Sequence, residues 1–245
     1  MMRIGVVCEG PTDFIVIESF VKAFLSGKNI DSTIVSIQPD MDNTREYGGW
    51  ANLLIWLKNN PPQLRVKSYF GSGLFDAAMS AKACDVILIQ MDSDILGHES
   101  FENYVRRELN YSPSNPVNPS DRANEIKIIL NIAANLGELS AADNERHILG
   151  PTVESTETWC VAAYSNLGSD PEFLSGQALI DAFMNALLAS ESQPSFGPYS
   201  SCDKTVKRRS RFCEKHANGV DRLVASCSQF RQISASLIDL SVRFK

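Results

Sequence analysis

Three carboxylates stand where apolar runs stop. Gly5-Val6-Val7-Cys8 leads into Glu9, and Val86 through Met91 leads into Asp92-Ser93-Asp94. Acids gathered at one sheet edge repel each other and need a cation. Hard oxygen ligands that leave positions open for water and phosphate suit Mg2+ or Mn2+. The chemistry expected is metal-assisted attack on a phosphate ester, with Glu9, Asp92 and Asp94 holding the ion. Gly10 would let a ligand approach the backbone, and the helix start that follows it could hold a phosphate. Asp13, one turn in, reads as a supporting acid. The bland alternatives are a helix-start acid for Glu9 and a turn for Asp-Ser-Asp.

Two further groups carry charge at suggestive spacing. Glu154 and Glu157 lie three apart, so a helix would show both on one face with Trp159 packed beneath. Near the C-terminus, Lys204, Lys207, Arg208, Arg211 and Lys215 form one helical stripe that could track a nucleic-acid backbone; a solvated helix face is the alternative.

These residues require particular elements to position them. Residues 3–8 read as a buried parallel strand, and Gly10-Pro11 as the start of a helix running to about Leu25. Asp31–Ile37 reads as a second strand, Asp40–Gly49 as a loop, and Trp50–Leu57 as a helix broken by Asn59-Asn60-Pro61-Pro62. Val66–Phe70 reads as a short edge strand and Leu74–Ala83 as a helix leading into the Asp92 strand. Residues 97–110 and 120–136 read as helices, and Arg146–Leu149 as a returning strand. Helices are expected at 156–165, 175–190, 200–217 and 219–243, with a loop over Ser190–Ser201. The fold class is therefore α/β, a mostly parallel Rossmann-like sheet flanked by helices. Residues 1–150 form the α/β part, and residues 151–245 a mainly helical part packed on it.

Glu9-Gly10-x-Thr12-Asp13 after the first strand, with Asp92-x-Asp94 after a later one, resembles the Toprim domain of topoisomerases, bacterial primases and OLD-type nucleases. Pro151 with Glu157-x-Trp159 resembles a segment of small stand-alone Toprim-like proteins, including RloB-like ones often found beside defence genes. The resemblance implies a Toprim-type sheet and a Mg2+- or Mn2+-dependent nuclease active on DNA or RNA. It implies Glu9 as general acid or base as well as ligand, and Glu157 as an extra metal or supporting carboxylate. A role in phage defence and a partner ATPase follow from the same resemblance.

Composition narrows the alternatives. The chain has 245 residues and a net charge of −6, enough length for a full core and too acidic for a charge-driven DNA coat protein. No apolar run reaches a membrane span. The N-terminus enters a strand pattern directly, and the six cysteines form no C-x-x-C pair, so a reduced cytoplasmic protein is expected. Cys202, Cys213 and His216 lack a fourth ligand at zinc-motif spacing. Neither a P-loop nor a G-x-S-x-G elbow occurs, and Leu96 stands where a D-x-D-x-T phosphatase needs threonine. Besides the nuclease, two readings fit: a non-catalytic module that binds nucleic acid, nucleotide or a partner protein, and a small-molecule phosphohydrolase.

Overall fold

The computed structural model describes residues 1–39, 49–70, 82–165, 170–191 and 205–244. The loop expected at Asp40–Gly49, the helix expected at Leu74–Ala83, the loop expected at Ser190–Ser201, and Lys204 lie wholly or mostly outside these residues.

Four strands make one parallel sheet: β1 (Met2–Val7), β2 (Ser32–Gln38), β3 (Val86–Ile89) and β4 (His147–Leu149), in the order β2-β1-β3-β4. Their Val/Ile/Leu-rich character follows from burial on both faces. Alternation divides the side chains. Ile4, Val6, Val86, Leu88 and Ile148 enter one apolar core, while Val7, Ile37, Ile87 and Ile89 enter the other. A register shift between Val6 and Val7 lets β1 change its phase against β2 at its carboxyl end.

The first core is closed by α1 (Pro11–Gly27) together with α7 (Thr156–Tyr164), α8 (Gly176–Ser190), α9 (Val206–His216), α10 (Val220–Ser226) and α11 (Ser228–Arg243). Trp159 lies at its centre, edge-on to Phe230 with ring centroids 5.1 Å apart. The second core is closed by α2 (Trp50–Asn59), α4 (Glu99–Leu109) and α5 (Pro119–Ala133), with α3 (Pro62–Tyr69) at its margin; the short α6 (Ala141–Glu145) leads into β4. The C-terminal part is helical, as expected. No helix among the described residues is long and apolar enough to cross a membrane.

Three expectations are corrected. Val66–Phe70 is not a strand: the same Asn-Pro-Pro that ends α2 starts α3, because Pro62 occupies the first helical turn, where a missing N–H costs nothing. The helix expected over 219–243 is two helices. Cys227 is extended, and the new start is capped by Glu172, whose Oε1 accepts from Ser228 N at 2.7 Å. Glu154 and Glu157 do not share a helix face. Glu154 precedes α7 in the left-handed region, at φ 56°, and the two acids diverge.

Candidate functional site

β1 and β3 are adjacent, but the chain leaves β1 for β2 on one side and β3 for β4 on the other. The strand order thus reverses between them, and their carboxyl ends stand at the switch point where open α/β sheets bind ligands. Sheet pairing continues past the strands: Gln90 N donates to Val7 O at 2.8 Å, and Thr152 N to Met91 O at 3.0 Å. Glu9 and Asp92 are thereby brought together, with Glu9 Oε1 accepting from Asp92 N at 2.9 Å.

Asp92 is the hub. Its Oδ1 accepts from Thr152 Oγ1 at 2.5 Å and from Gln90 Nε2 at 2.7 Å, and both donors are fully buried. Burial is the largest cause pushing this carboxyl well above its usual range, and the charges of Asp13, Glu9, Asp94 and Glu157 push it further. Four other acids therefore act on one carboxylate. Beneath them the buried Cys8 thiol donates to Gly10 O at 3.4 Å; burial, then Asp13, pushes it up.

Asp13, in the first turn of α1, belongs to this group. Gly10 occupies the N-cap position, and Asp13 Oδ1 accepts from Thr156 Oγ1 at 2.7 Å, tying the start of α1 to the start of α7. Gly10 is extended, at φ −152°, a conformation open to any residue. Its missing side chain instead makes room for Asp13, whose Oδ2 would lie 3.2 Å from an added Cβ.

Asp94 is exposed, and the chain turns at Ser93, so the two aspartates are not on one face of an extended strand. The turn is held by Glu154, whose carbonyl accepts from Ser93 N at 2.8 Å and from Asp94 N at 3.1 Å. The Glu154 side chain pairs with Arg122, Nη1 to Oε1, at 3.1 Å. Glu157 pairs instead with Arg209, Nη2 to Oε1, at 2.5 Å. Both members of the second pair are buried, and the Arg209 guanidinium lies 4.4 Å from the centre of the Phe183 ring.

The basic stripe is partly consumed by the fold. Arg208 forks onto Glu191, with Nη2 to Oε2 at 2.8 Å, and Lys215 Nζ donates to Ser190 O at 2.6 Å. Lys207 and Arg211 are exposed on α9, and Lys204 lies outside the described residues.

Gln90, Thr152 and Arg122 are the residues that sequence reasoning missed. Gln90 offered a signal, a polar side chain inside an apolar strand run two positions before Asp92. Thr152 and Arg122 offered none, since each acts across a long stretch of chain.

Among the described residues, no group of three or more His, Cys, Asp or Glu side chains is arranged to hold a metal ion. Mg2+ does not need one. It usually keeps several waters and takes one or two carboxylates plus substrate phosphate. Asp92, whose Oδ2 stands outside the bonds to Gln90 and Thr152, with Glu9 and the exposed Asp94, fits that smaller donor set. Compared with known proteins, the chain matches no family model, no curated protein and no solved structure.

Proposed function

We propose that this chain is a Mg2+- or Mn2+-dependent phosphodiester-processing enzyme, and more specifically a nuclease of Toprim-like type. The observation that carries this reading is the convergence on Asp92: Glu9 reaches it from the neighbouring strand end, and four acids from two strand ends and two helix starts act on this one half-buried carboxylate at the sheet's switch point. Such crowding opposes folding, and a bound cation would relieve it. Perturbed acids gathered at a switch point are what an active site requires.

Asp92, Glu9 and Asp94 would hold the ion, which when bound would neutralise the scissile phosphate and lower the pKa of a coordinated water. Gln90 and Thr152 fix the Asp92 carboxylate so that Oδ2 faces one way. Glu9, whose Oε1 accepts from Asp92 N, would take the proton of an attacking water and return it to the leaving oxygen. The first turn of α1 supplies a helix N-terminus for phosphate oxygens. Lys207 and Arg211 would contact a longer nucleic-acid substrate, and a partner ATPase and a defence role belong to the same proposal.

One observation favours a non-catalytic module that binds a nucleotide, nucleic acid or partner protein: among the described residues, no three acids are arranged to enclose an ion. Incubation with labelled single- and double-stranded DNA and RNA, with Mg2+, Mn2+ or chelator, separates the two. Chelator-sensitive cleavage that Asp92→Asn abolishes supports the enzyme. Retention of polymer without cleavage supports the binding module, and release of phosphate from nucleotides alone supports a small-molecule phosphohydrolase.

A further inference from the structure

Asp92 and Asp94 can serve one site only if the turn between them is held. That turn lies beyond the last strand pairing, where a chain is usually free to move. Here every polar group of Ser93 is engaged: its N–H donates to Glu154 O at 2.8 Å, its Oγ accepts from Glu154 N at 2.9 Å, and its carbonyl accepts from Arg122 Nη2 at 2.8 Å. Arg122 reaches in from α5, and its Nη1 holds the Glu154 carboxylate at 3.1 Å. Its guanidinium thus joins the turn that carries the aspartates to the segment that wraps it, with the arginine and glutamate side chains 19% and 9% exposed. A residue in the left-handed conformation is strained unless it is glycine, and Glu154 is kept there with both its backbone and its carboxylate in use.

We propose that Arg122 is the positioning residue of the acidic site, setting the separation of Asp92 and Asp94 by clamping Ser93 and Glu154 together. The inference rests on the metal-site reading above. Arginine suits the task because its rigid fork addresses a carbonyl and a carboxylate at once, whereas lysine offers a single point charge. Arg122→Lys therefore keeps the charge and loses the geometry.

The test is Mn2+ binding, followed by calorimetry and by the Mn2+ electron-spin resonance signal, on the full chain. Wild type, Arg122→Lys and Ile126→Val are compared, the last being a conservative core change on the same helix that serves as a stability control. Arg122→Lys is expected to weaken Mn2+ binding at least tenfold, while Ile126→Val binds as wild type does. Equal affinity in wild type and Arg122→Lys overturns the proposal, and so does an equal loss in both variants. If wild type itself binds no Mn2+, the metal-site reading fails, and amide hydrogen exchange of residues 92–96 in the metal-free protein decides Arg122. Exchange at least tenfold faster in Arg122→Lys alone supports the clamp, and unchanged exchange overturns it.

Discussion

At the scale of single residues, the acidic site holds charge against its own repulsion. The Asp92 carboxyl is held above its ordinary range, so its folded form resists ionisation and the charge costs stability as pH rises past the unfolded value. Removing the charge while keeping the acceptor should therefore stabilise the metal-free protein. Asp92→Asn, which can still accept from Gln90 and Thr152, is expected to raise the melting temperature by about 2–4 °C, the shift that roughly 1 kcal/mol produces in a chain of this size. The same variant should lose metal-dependent cleavage. Calorimetry with and without Mg2+ checks the first outcome and gel assays the second; a lower melting temperature without metal would refute the repulsion argument. Asp92→Ala is a poorer test, because it removes the oxygen that two buried donors share. Glu9 and Asp92 were legible in the sequence because each ends an apolar run. The hydrogen bonds that orient Asp92 were not, since Thr152 arrives from 60 positions away.

Secondary-structure elements were legible where a local signal fixes them, and not where a distant residue does. Pro11 and Pro119 mark helix starts by themselves, and Asn118 caps α5 with its own side chain. The break between α10 and α11 depends on Glu172, more than fifty positions earlier, so no local pattern announces it. Val66-Lys67-Ser68-Tyr69-Phe70 has a strand-like composition, yet the preceding prolines set a helical start and the tertiary setting buries Arg65. Close packing between elements gives the next prediction. Gly219 enters α10 against the end of α7, where an added Cβ would lie 2.0 Å from the Ala163 carbonyl oxygen. Backbone cannot yield as a side chain can, so Gly219→Ala is expected to destabilise by about 3 kcal/mol or more in urea unfolding. A loss below about 1 kcal/mol would mean that the two helices separate easily. For α9, Lys207, Arg211 and Lys215 are the exposed members of the stripe among the described residues, and Lys215 is tied to Ser190 O. Changing Lys207 and Arg211 to Ala should flatten the slope of log affinity for a polynucleotide against log salt by roughly 1.5 units, since each phosphate contact contributes about 0.7–0.9. An unchanged slope in filter-binding titrations would return the helix to a solvated face.

For the molecule as a whole, the sheet class and the approximate order of elements followed from apolar runs and their breaks. How the cores are closed did not. The helices after Thr156 pack in the same core as α1 and one face of the sheet, an outcome set by shape across the whole chain. Acid stability is a property at this scale, and His147 on β4 is one of its sources. Arg65 Nε donates to its Nε2 at 3.3 Å, and its Nδ1–H donates to Asp143 O at 2.9 Å, so the ring is held neutral. Burial pushes its pKa down from 6.5 to about 4, and the charges of Arg65 and Arg146 add to that. The unfolded chain then takes up a proton before the folded one does. Stability from this group is whole above pH 6.5 and is lost as pH falls toward 4, by roughly 3 kcal/mol at the limit. In His147→Gln, urea unfolding between pH 7.5 and 4.5 should show a correspondingly smaller loss. A loss equal to wild type would assign the acid sensitivity elsewhere.

The central strands β1 and β3 are neighbours in space, yet Glu9 meets a residue 83 positions further along the chain. This has a consequence during synthesis. A nascent chain that has reached the end of α4 already possesses β1, β2, β3 and both acidic strand ends, but neither β4 nor any helix from α5 onward. The outer edge of β3 is then without β4, and among the described elements made so far α1 alone covers the sheet face bearing Ile4, Val6, Val86 and Leu88. An open parallel edge beside an uncovered apolar face invites association between growing chains. The segments made last are the ones that close it, so translation of this protein passes through its most aggregation-prone form after the acidic site has been encoded and before the sheet that supports it is complete.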